Sequence, residues 1–283
     1  MKSELKNQWD ELGYVVVPGI FDPELVQQLL AACEAILKQW RIENPEDGKP
    51  GGGPDATVMR HLNHPGYFAS HPEWRQLILE SIAHDRVLEV AREILAEEPV
   101  FRSTSFFFNP MGSSRDGNWH RDSQFGHQQV DDEKAYLQPR YGKTSGIQMQ
   151  IALAPTEDIE YVPESHLRWD SAEEFQIRRA DEQANNTSNQ MPGALRMSQE
   201  PGDAALFNPL GMHRGRYHAD KTRRTYMLTY MPESLYTADY FSHQPWFQEP
   251  GYLEGLRPST QRFYQRFIDK YKSYWESEKE KLD

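Results

Sequence analysis

The sequence is poor in cysteine and in long apolar runs, and each scarcity excludes a class of protein. Cys33 is the only cysteine among 283 residues, so an intrachain disulfide and a cysteine-rich zinc site are both excluded. No stretch approaches the roughly 18 consecutive apolar residues of a membrane span, and the charged segment 1–14 lacks the apolar core of a secretion signal. A reducing cytoplasm is therefore the expected location.

Positive charge is also scarce. The chain has 31 Lys and Arg against 43 Asp and Glu, a formal net charge of −12. Binding to nucleic acid or to a membrane surface depends on a basic field, so neither is expected, and the expected partner is a small molecule. The acidic balance slightly favours a neutral or cationic substrate, although solubility alone explains it. Apolar residues make up only 37%, but 7 Trp, 14 Tyr and 13 Phe supply large rings for a sizeable core.

The first hundred residues have mainly helical patterning. Segment 3–12 predicts a short helix that ends at Gly13, and the β-branched run 14–17 predicts a strand. Asp22, followed by Pro23 and an acid, predicts a helix start, and the apolar stripe that follows has a helical period. Residues 73–97 predict one or two further helices.

From residue 99 onwards the patterning changes to short strands separated by Pro, Gly and Asp. Strands are predicted at 101–108, 145–153, 159–162, 194–197, 204–207 and 223–230. Several short strands at this spacing are typical of a sandwich or jelly roll. The polar stretch 166–192 is interpreted as an insertion at one rim. Residues 259–281 predict a C-terminal amphipathic helix that is docked or dimer-forming.

The sharpest motif is Trp119-His120-Arg121-Asp122. On an extended segment, residues two apart point to the same side, so His120 and Asp122 can meet one ion. Arg121, between them, is then expected to point outward or towards a carboxylate at the rim.

A third ligand has to come from a distant segment, and His213 is the best candidate because it follows a predicted strand. His218 is the alternative, although it falls in a predicted loop. Two histidines and one carboxylate form the facial triad of non-haem iron(II) oxygenases, which leaves coordination positions open.

A basic residue near the third ligand adds to this pattern. Arg223 lies ten positions after His213 (223 − 213 = 10) and begins an alternating strand, so Arg223 and Arg224 point to opposite faces. An inward arginine needs a carboxylate partner because an unpaired buried charge is expensive. A dicarboxylate co-substrate would supply that partner and suits the guanidinium fork. Alternation alone leaves either arginine open, and Arg223 is preferred.

Two glutamines share one face of the otherwise apolar strand at 145–153. Because a buried amide without partners is costly, Gln148 and Gln150 are expected either to face solvent or to line a polar pocket.

Several segments, in order from residue 12 to residue 230, resemble the phytanoyl-CoA dioxygenase (PhyH-like) family. The segments are Leu12-Gly13-Tyr14-Val15-Val16-Val17-Pro18-Gly19, the W-H-x-D motif at 119–122, Pro163-Glu164-Ser165-His166, the P-G-D strand at 200–207, and His213 with Arg223-Arg224-Thr225. The third of these departs from the family's P-G-S-H turn, because Glu164 stands where the family has Gly.

The resemblance implies a single oxygenase domain over residues 1–283 that is mainly β with flanking helices. Its centre would be a double-stranded β-helix, the cupin-like jelly roll, over residues 99–232. A helical N-terminal part, 1–98, and a C-terminal helix, 258–281, would flank it.

The resemblance also implies the chemistry. Carried over by position, His120, Asp122 and His213 would hold iron(II), and Arg223 would bind the distal carboxylate of 2-oxoglutarate. Gln150 would be a co-substrate or pocket contact. Such an enzyme uses O2 to hydroxylate or otherwise oxidise a small-molecule metabolite, and it decarboxylates 2-oxoglutarate to succinate.

Two other functions stay open on the sequence alone. A cupin-like metal enzyme could use the same three ligands without 2-oxoglutarate, and Arg223 would then be dispensable. A small-molecule-binding sandwich without catalysis would bind no iron. A serine hydrolase is disfavoured because the chain lacks a G-x-S-x-G motif.

Overall fold

The chain has long helices near its two ends and strands mainly between them. In this computed structural model the described residues are 3–46, 51–68 and 71–280. The α-helices are α1 (Glu4–Leu12), α2 (Pro23–Glu43), α3 (Pro72–Ile82), α4 (Asp85–Leu95), α5 (Ser123–Gly126), α6 (Val130–Leu137), α7 (Ala172–Arg178) and α8 (Pro258–Glu280). The strands are β1 (Tyr14–Val17), β2 (Val58–Arg60), β3 (Pro99–Phe108), β4 (Arg115–Asp116), β5 (Ile147–Ala152), β6 (Thr156–Tyr161), β7 (Leu195–Gln199), β8 (Ala204–Phe207), β9 (His213–Tyr217) and β10 (Arg224–Pro232).

Helix α1 ends at Gly13 and α2 begins directly after Asp22, as the sequence predicts. Ser3 caps α1 with its hydroxyl, and Asp22 caps α2 by accepting a hydrogen bond from the Leu25 N–H at 2.8 Å. Gly13 ends α1 with a φ of 79°, a backbone conformation that favours glycine. A Cβ at Gly13 would also lie 2.4 Å from the Tyr161 hydroxyl, so glycine lets α1 approach β6 closely.

The strands form two antiparallel sheets. The larger has the order β1-β8-β5-β10-β3-β2, and the smaller has the order β4-β9-β6-β7. Side chains from both sheets, among them Ile159 and Met197 from the smaller and Phe207 from the larger, share one buried cluster. The prediction of a mainly β jelly roll with flanking helices is confirmed, although β2, β4 and β9 were not predicted as strands.

The two faces of the larger sheet have opposite character. On the outer face of β10, the Tyr226 hydroxyl lies 3.0 Å from the Ser81 hydroxyl of α3, and the Tyr230 hydroxyl donates to the Ile82 carbonyl at 2.6 Å. On the inner face, β10 pairs Met227 with Gln150 and Thr229 with Gln148, and directly paired residues share a face. The apolar core therefore lies under the helices, while a polar interior faces the smaller sheet.

Helix α8 is docked on the protein's own core, which is one of the two placements expected for it. It buries aromatic rings of about 150–250 Å² each, and the ring of Phe267 lies 5.4 Å from that of Phe101 on β3. The last residue of the predicted helix, 281, lies outside the described residues. Among the helices of the described segments, none has the length and apolar character needed to cross a bilayer.

Candidate active site

The two candidate histidine ligands are brought together by backbone pairing. His120, which follows β4, and His213, the first residue of β9, form an isolated antiparallel bridge. The His120 N–H donates to the His213 carbonyl at 3.0 Å, and the reverse bond is 2.9 Å. Their rings consequently lie side by side, with centroids 4.3 Å apart.

Asp122 completes the cluster, but not through the extended backbone that the sequence suggested. Its φ of −61° and ψ of −23° are helical, because the residue stands at the start of α5. The Asp122 N–H donates to the Pro209 carbonyl at 2.9 Å. This places its Oδ1 3.7 Å from the Nε2 of His120 and 3.5 Å from the Nε2 of His213. One atom from each of the three side chains lies within 4.8 Å of the others.

Hydrogen bonds to backbone carbonyls fix how the two imidazoles are presented. The Nδ1 of His120 lies 2.7 Å from the Asn118 carbonyl, and the Nδ1 of His213 lies 3.0 Å from the Gly211 carbonyl. A carbonyl only accepts, so the proton of each neutral ring resides on Nδ1. Both Nε2 lone pairs are then directed towards Asp122, which is the arrangement a metal ion requires.

The electrostatic surroundings keep His213 neutral. Burial, and to a smaller extent the neighbouring His120, lower the pKa of His213 to about 4, and Asp122 opposes this shift only in part. Only 5% of His213 is exposed. A neutral imidazole at neutral pH is the form that binds metals.

Gln148 sets the orientation of the carboxylate. Its side-chain amide donates to the Oδ2 of Asp122 at 2.6 Å, which leaves Oδ1 facing the imidazoles. The sequence allowed Gln148 and Gln150 to face either solvent or a polar pocket. In the structure both lie on the face of β5 that borders the polar interior, and Gln150 is 6% exposed.

Arg223 lies deep in that interior, with 1% of its surface exposed. Its guanidinium donates to the Gln150 Oε1 at 3.1 Å, the Thr225 hydroxyl at 3.3 Å and the Arg216 carbonyl at 3.2 Å. Each of these acceptors is uncharged. No carboxylate in the described segments pairs with Arg223, so the interior holds a buried positive charge without an anionic partner.

Arg224 has a different environment. It points to the outer face of the sheet and forms an ion pair with Glu34 of α2. The alternative ligand His218 is also elsewhere, since its Nε2 lies 3.5 Å from the Oδ1 of Asp116 and it is not part of the three-residue cluster.

Arg60, on the short strand β2, is a cation of the same interior that the sequence analysis missed. It pairs with Ser105 across β3, and its guanidinium donates to the Ser105 hydroxyl at 3.3 Å. Burial lowers the pKa of Arg60, and Tyr217 and Asp122 oppose the shift. The ring of Phe107 lies 5.4 Å from the Cζ of Arg60 and 5.2 Å from that of Arg223. A three-residue strand after a Gly-rich stretch gave no signal for this position.

Arg121 was expected to point outward or to a carboxylate at the rim, and the outward alternative is wrong. The side chain is fully buried and forms an ion pair with Asp170 at 2.9 Å. It also donates to the Ser165 and Leu210 carbonyls at 2.7 and 2.6 Å. The carboxylate partner exists, but it lies in the interior because the 166–192 segment folds over this turn.

A profile of the family described as Phytanoyl-CoA dioxygenase (PhyH) matches residues 9–225, well over half of the chain. The chain belongs to this family. The matched segment contains the His-Asp-His cluster, Gln150 and Arg223, so the resemblance predicted from the sequence motifs is confirmed at the level of the family. No curated protein matches the chain.

Several solved structures share the fold of this PhyH-family chain. AviO1 from Streptomyces viridochromogenes Tue57 is 17% identical, with a TM-score of 0.59 over 84% of this chain and 98% of its own. EctD from S. alaskensis, solved with 2-oxoglutarate and 5-hydroxyectoine, is 18% identical, with a TM-score of 0.58 over 92% and 86%. HygX from Streptomyces hygroscopicus, solved with nickel and 2-oxoglutarate, is 16% identical, with a TM-score of 0.56 over 84% and 89%. At these identities the likeness is one of fold.

Proposed function

We propose that this PhyH-family chain is a non-haem iron(II)- and 2-oxoglutarate-dependent dioxygenase that hydroxylates or otherwise oxidises a small-molecule metabolite. His120, Asp122 and His213 would hold the iron, and Arg223 would hold the far carboxylate of 2-oxoglutarate. O2 is the second co-substrate.

The donor set suits ferrous iron. Two neutral imidazoles and one carboxylate on one side of an ion form a facial triad, which leaves positions for a chelating co-substrate. Each ligand also has the outer hydrogen bond that holds metal ligands in place, from Asn118, Gly211 and Gln148. When bound, iron and 2-oxoglutarate supply the oxidising power, with release of succinate and carbon dioxide.

Arg223 carries the argument for 2-oxoglutarate. A buried guanidinium without a carboxylate partner costs several kcal/mol, and its neutral hydrogen bonds and flanking rings offset only part of this. A dicarboxylate bound between Arg223 and the metal would supply the missing charge. Gln150, which accepts from the guanidinium at 3.1 Å, would orient it, and for this reason we propose that Gln150 supports the co-substrate site.

Arg60 would balance the other end of the same ligand. The metal ion would balance most of the charge on the carboxylate that binds it, and Arg60 would add a further positive charge on that side. Arg60 contacts the same Phe107 ring as Arg223 and is electrostatically coupled to Asp122. We therefore assign Arg60 to the metal-side end of the co-substrate.

The cupin-like alternative without 2-oxoglutarate does not account for this charge. It leaves Arg223 buried without an anionic ligand, between the rings of Phe107 and Tyr217, each 5.2 Å from its Cζ. Bound 2-oxoglutarate would give Arg223 and Arg60 an anionic partner.

We also propose that residues 1–283 form one oxygenase domain in the cytoplasm. Strand β1 of the N-terminal part pairs with β8, and α8 packs against β3, which supports a single unit. The one cysteine, Cys33, is buried and free, which is consistent with a reducing compartment.

The proposal is tested by loading the protein with iron(II) and measuring succinate release from 2-oxoglutarate across a panel of metabolites. Iron-dependent release that His213→Ala abolishes is the expected result. Release that persists without iron, or that is unaffected in His213→Ala, would disprove the assignment. Turnover of a substrate without consumption of 2-oxoglutarate, unchanged in Arg223→Ala, would favour the cupin-like alternative.

A further inference from the structure

Phe125 is a solvent-exposed aromatic ring beside a candidate metal ligand. It is 67% exposed, the largest fraction among the exposed large apolar side chains of residues 3–46, 51–68 and 71–280. Its ring lies 5.2 Å from that of His120, at an angle of 55°. Single exposed apolar residues are common on protein surfaces, so the position of this ring, and not its exposure alone, calls for a functional explanation.

The turn that carries Phe125 is held firmly, although the ring itself is exposed. The Phe125 N–H donates to the Asp122 carbonyl at 3.3 Å, and residues three apart on a helical turn are neighbours on its surface. The Ser123 hydroxyl donates to a buried carboxylate of α6 at 2.8 Å, and the side-chain oxygen of Gln124 accepts from a buried arginine of α7 at 2.8 Å. The backbone therefore fixes where the exposed ring lies relative to Asp122.

The metal cluster is open to solvent on the side that Phe125 borders. The side chain of His213 is 6% exposed, whereas those of His120 and Asp122 are 22% and 37% exposed. Arg223, which would hold the far carboxylate of 2-oxoglutarate, is buried. A molecule that arrives from solvent therefore meets the cluster at His120 and Asp122, where Phe125 lies.

We propose that Phe125 is a substrate-contact residue whose ring packs against an uncharged apolar group, a hydrocarbon ring or a branched alkyl group, next to the C–H bond that is oxidised. The inference rests on the proposed function and names the part of the substrate that this position selects. The contact would remove apolar surface of both partners from water, which is favourable. It would also hold the apolar group at a fixed distance from the cluster, because the turn beneath the ring is anchored.

Charged groups fit this position less well. The bound iron would be the largest local charge, and it would repel a cationic group stacked on a ring that contacts the ligand His120. An anionic group would be drawn to the metal, and the side chain of Phe125 has no donor to hold it. The polar groups of the substrate would therefore bind elsewhere.

The test uses the full chain loaded with iron(II) and 2-oxoglutarate without O2, so that binding is measured in the absence of turnover. The probes are borneol and cyclohexylmethanol, with myo-inositol as a ring of similar size that lacks apolar surface. We expect the first two to bind more tightly than myo-inositol. In Phe125→Ala their Kd should rise about tenfold, equivalent to about 1.4 kcal/mol, and Phe125→Leu, which keeps an apolar side chain, should recover part of the loss. After O2 is admitted, the same probes should stimulate succinate release by the wild type.

Iron retention and stability separate a substrate contact from mere support of His120. Because the ring is mostly exposed, Phe125→Ala should keep its affinities for iron and 2-oxoglutarate within about threefold, and its thermal midpoint within about 2 °C of that of Ile42→Ala. Ile42 is a matched control, since its side chain on α2 is 65% exposed. Its replacement should leave the binding of borneol unchanged.

Three binding results would overturn the inference: borneol and cyclohexylmethanol that bind no better than myo-inositol, equal Kd values in the wild type and Phe125→Ala, or a loss of iron from Phe125→Ala without a change in those Kd values. A wild-type dimer that Phe125→Ala dissociates would also overturn it, because the ring would then belong to an interface. A wild type that binds neither iron nor 2-oxoglutarate would instead defeat the proposed function, so the two failures are distinct.

Discussion

At the scale of single residues, Gln148 decides which oxygen of Asp122 is available to a metal. Its amide donates to Oδ2 at 2.6 Å, while Oδ1 faces the imidazoles of His120 and His213. Without the amide, the half-exposed carboxylate can rotate, and both oxygens compete for the ion and for water.

We therefore expect Gln148→Leu to lower iron affinity about 10–100-fold, the usual effect of removing an outer hydrogen bond to a metal ligand. Iron retention during dialysis against a chelator measures this, with Gln28→Leu on the exposed face of α2 as the control. Equal retention by the two variants would mean that Gln148 does not orient Asp122.

The candidate ligands themselves could be predicted from sequence because residue type and order carry the signal. His120, Asp122 and His213 are the chemical set of a facial triad, and the family motifs fix their order. Arg121 could not be placed, because its partner Asp170 is 49 positions away and only the folded chain brings the two together.

At the scale of elements, a buried charge network supports the turn that carries His120 and Asp122. Arg121 pairs with Asp170, which also accepts from Arg178 of α7 at 2.7 Å. Arg178 in turn pairs with Glu133 of α6 at 3.0 Å, and Glu133 accepts from the Ser123 hydroxyl of α5 at 2.8 Å. The network thus ties three helices to the residue between two candidate ligands.

Asp170→Asn should destabilise the protein by about 3–5 kcal/mol, because it leaves the buried Arg121 without a counter-charge and removes one of the two carboxylates that pair with Arg178. The free energy of unfolding in urea measures the loss. Asp269→Asn, which breaks the exposed pair with Lys272, should change it by less than about 1 kcal/mol. Equal midpoints for the two variants would show that the network contributes no stability.

Strand β9 shows why some elements escaped prediction. Its sequence, with Gly211 before it and Gly215 inside it, is more typical of a turn than of a strand. The structure explains Gly215: a Cβ there would lie 2.7 Å from the Tyr217 hydroxyl and 3.2 Å from the Nη1 of Arg223. Glycine leaves room for the side chains of Tyr217 and Arg223 to pack closely there, a tertiary requirement that local patterning does not contain.

At the scale of the whole molecule, buried histidines make stability depend on pH. The unfolded chain protonates His61 near its usual pKa of about 6.5, whereas in the folded state the pKa is lowered to about 4. Between these values the unfolded state binds more protons, so stability falls as the pH is lowered through this window.

Between pH 7 and pH 5, protonation of His61 in the unfolded chain should lower the free energy of unfolding by roughly 2 kcal/mol. His61→Phe removes the titrating group, so its free energy of unfolding should fall by that much less than the wild type's over the same range. Urea unfolding at the two pH values measures the difference. Parallel pH profiles would show that His61 is not held neutral in the folded protein.

The central claim is that one buried guanidinium and one metal cluster share a single dicarboxylate ligand. The most direct measurement is an anaerobic titration of the iron(II)-loaded protein with 2-oxoglutarate, followed by the visible charge-transfer band of the chelate. We expect the band in the wild type and in Arg224→Ala, and an affinity lowered by more than about 30-fold in Arg223→Ala. An iron-loaded wild type without the band, or Arg223→Ala with unchanged affinity, would contradict the claim.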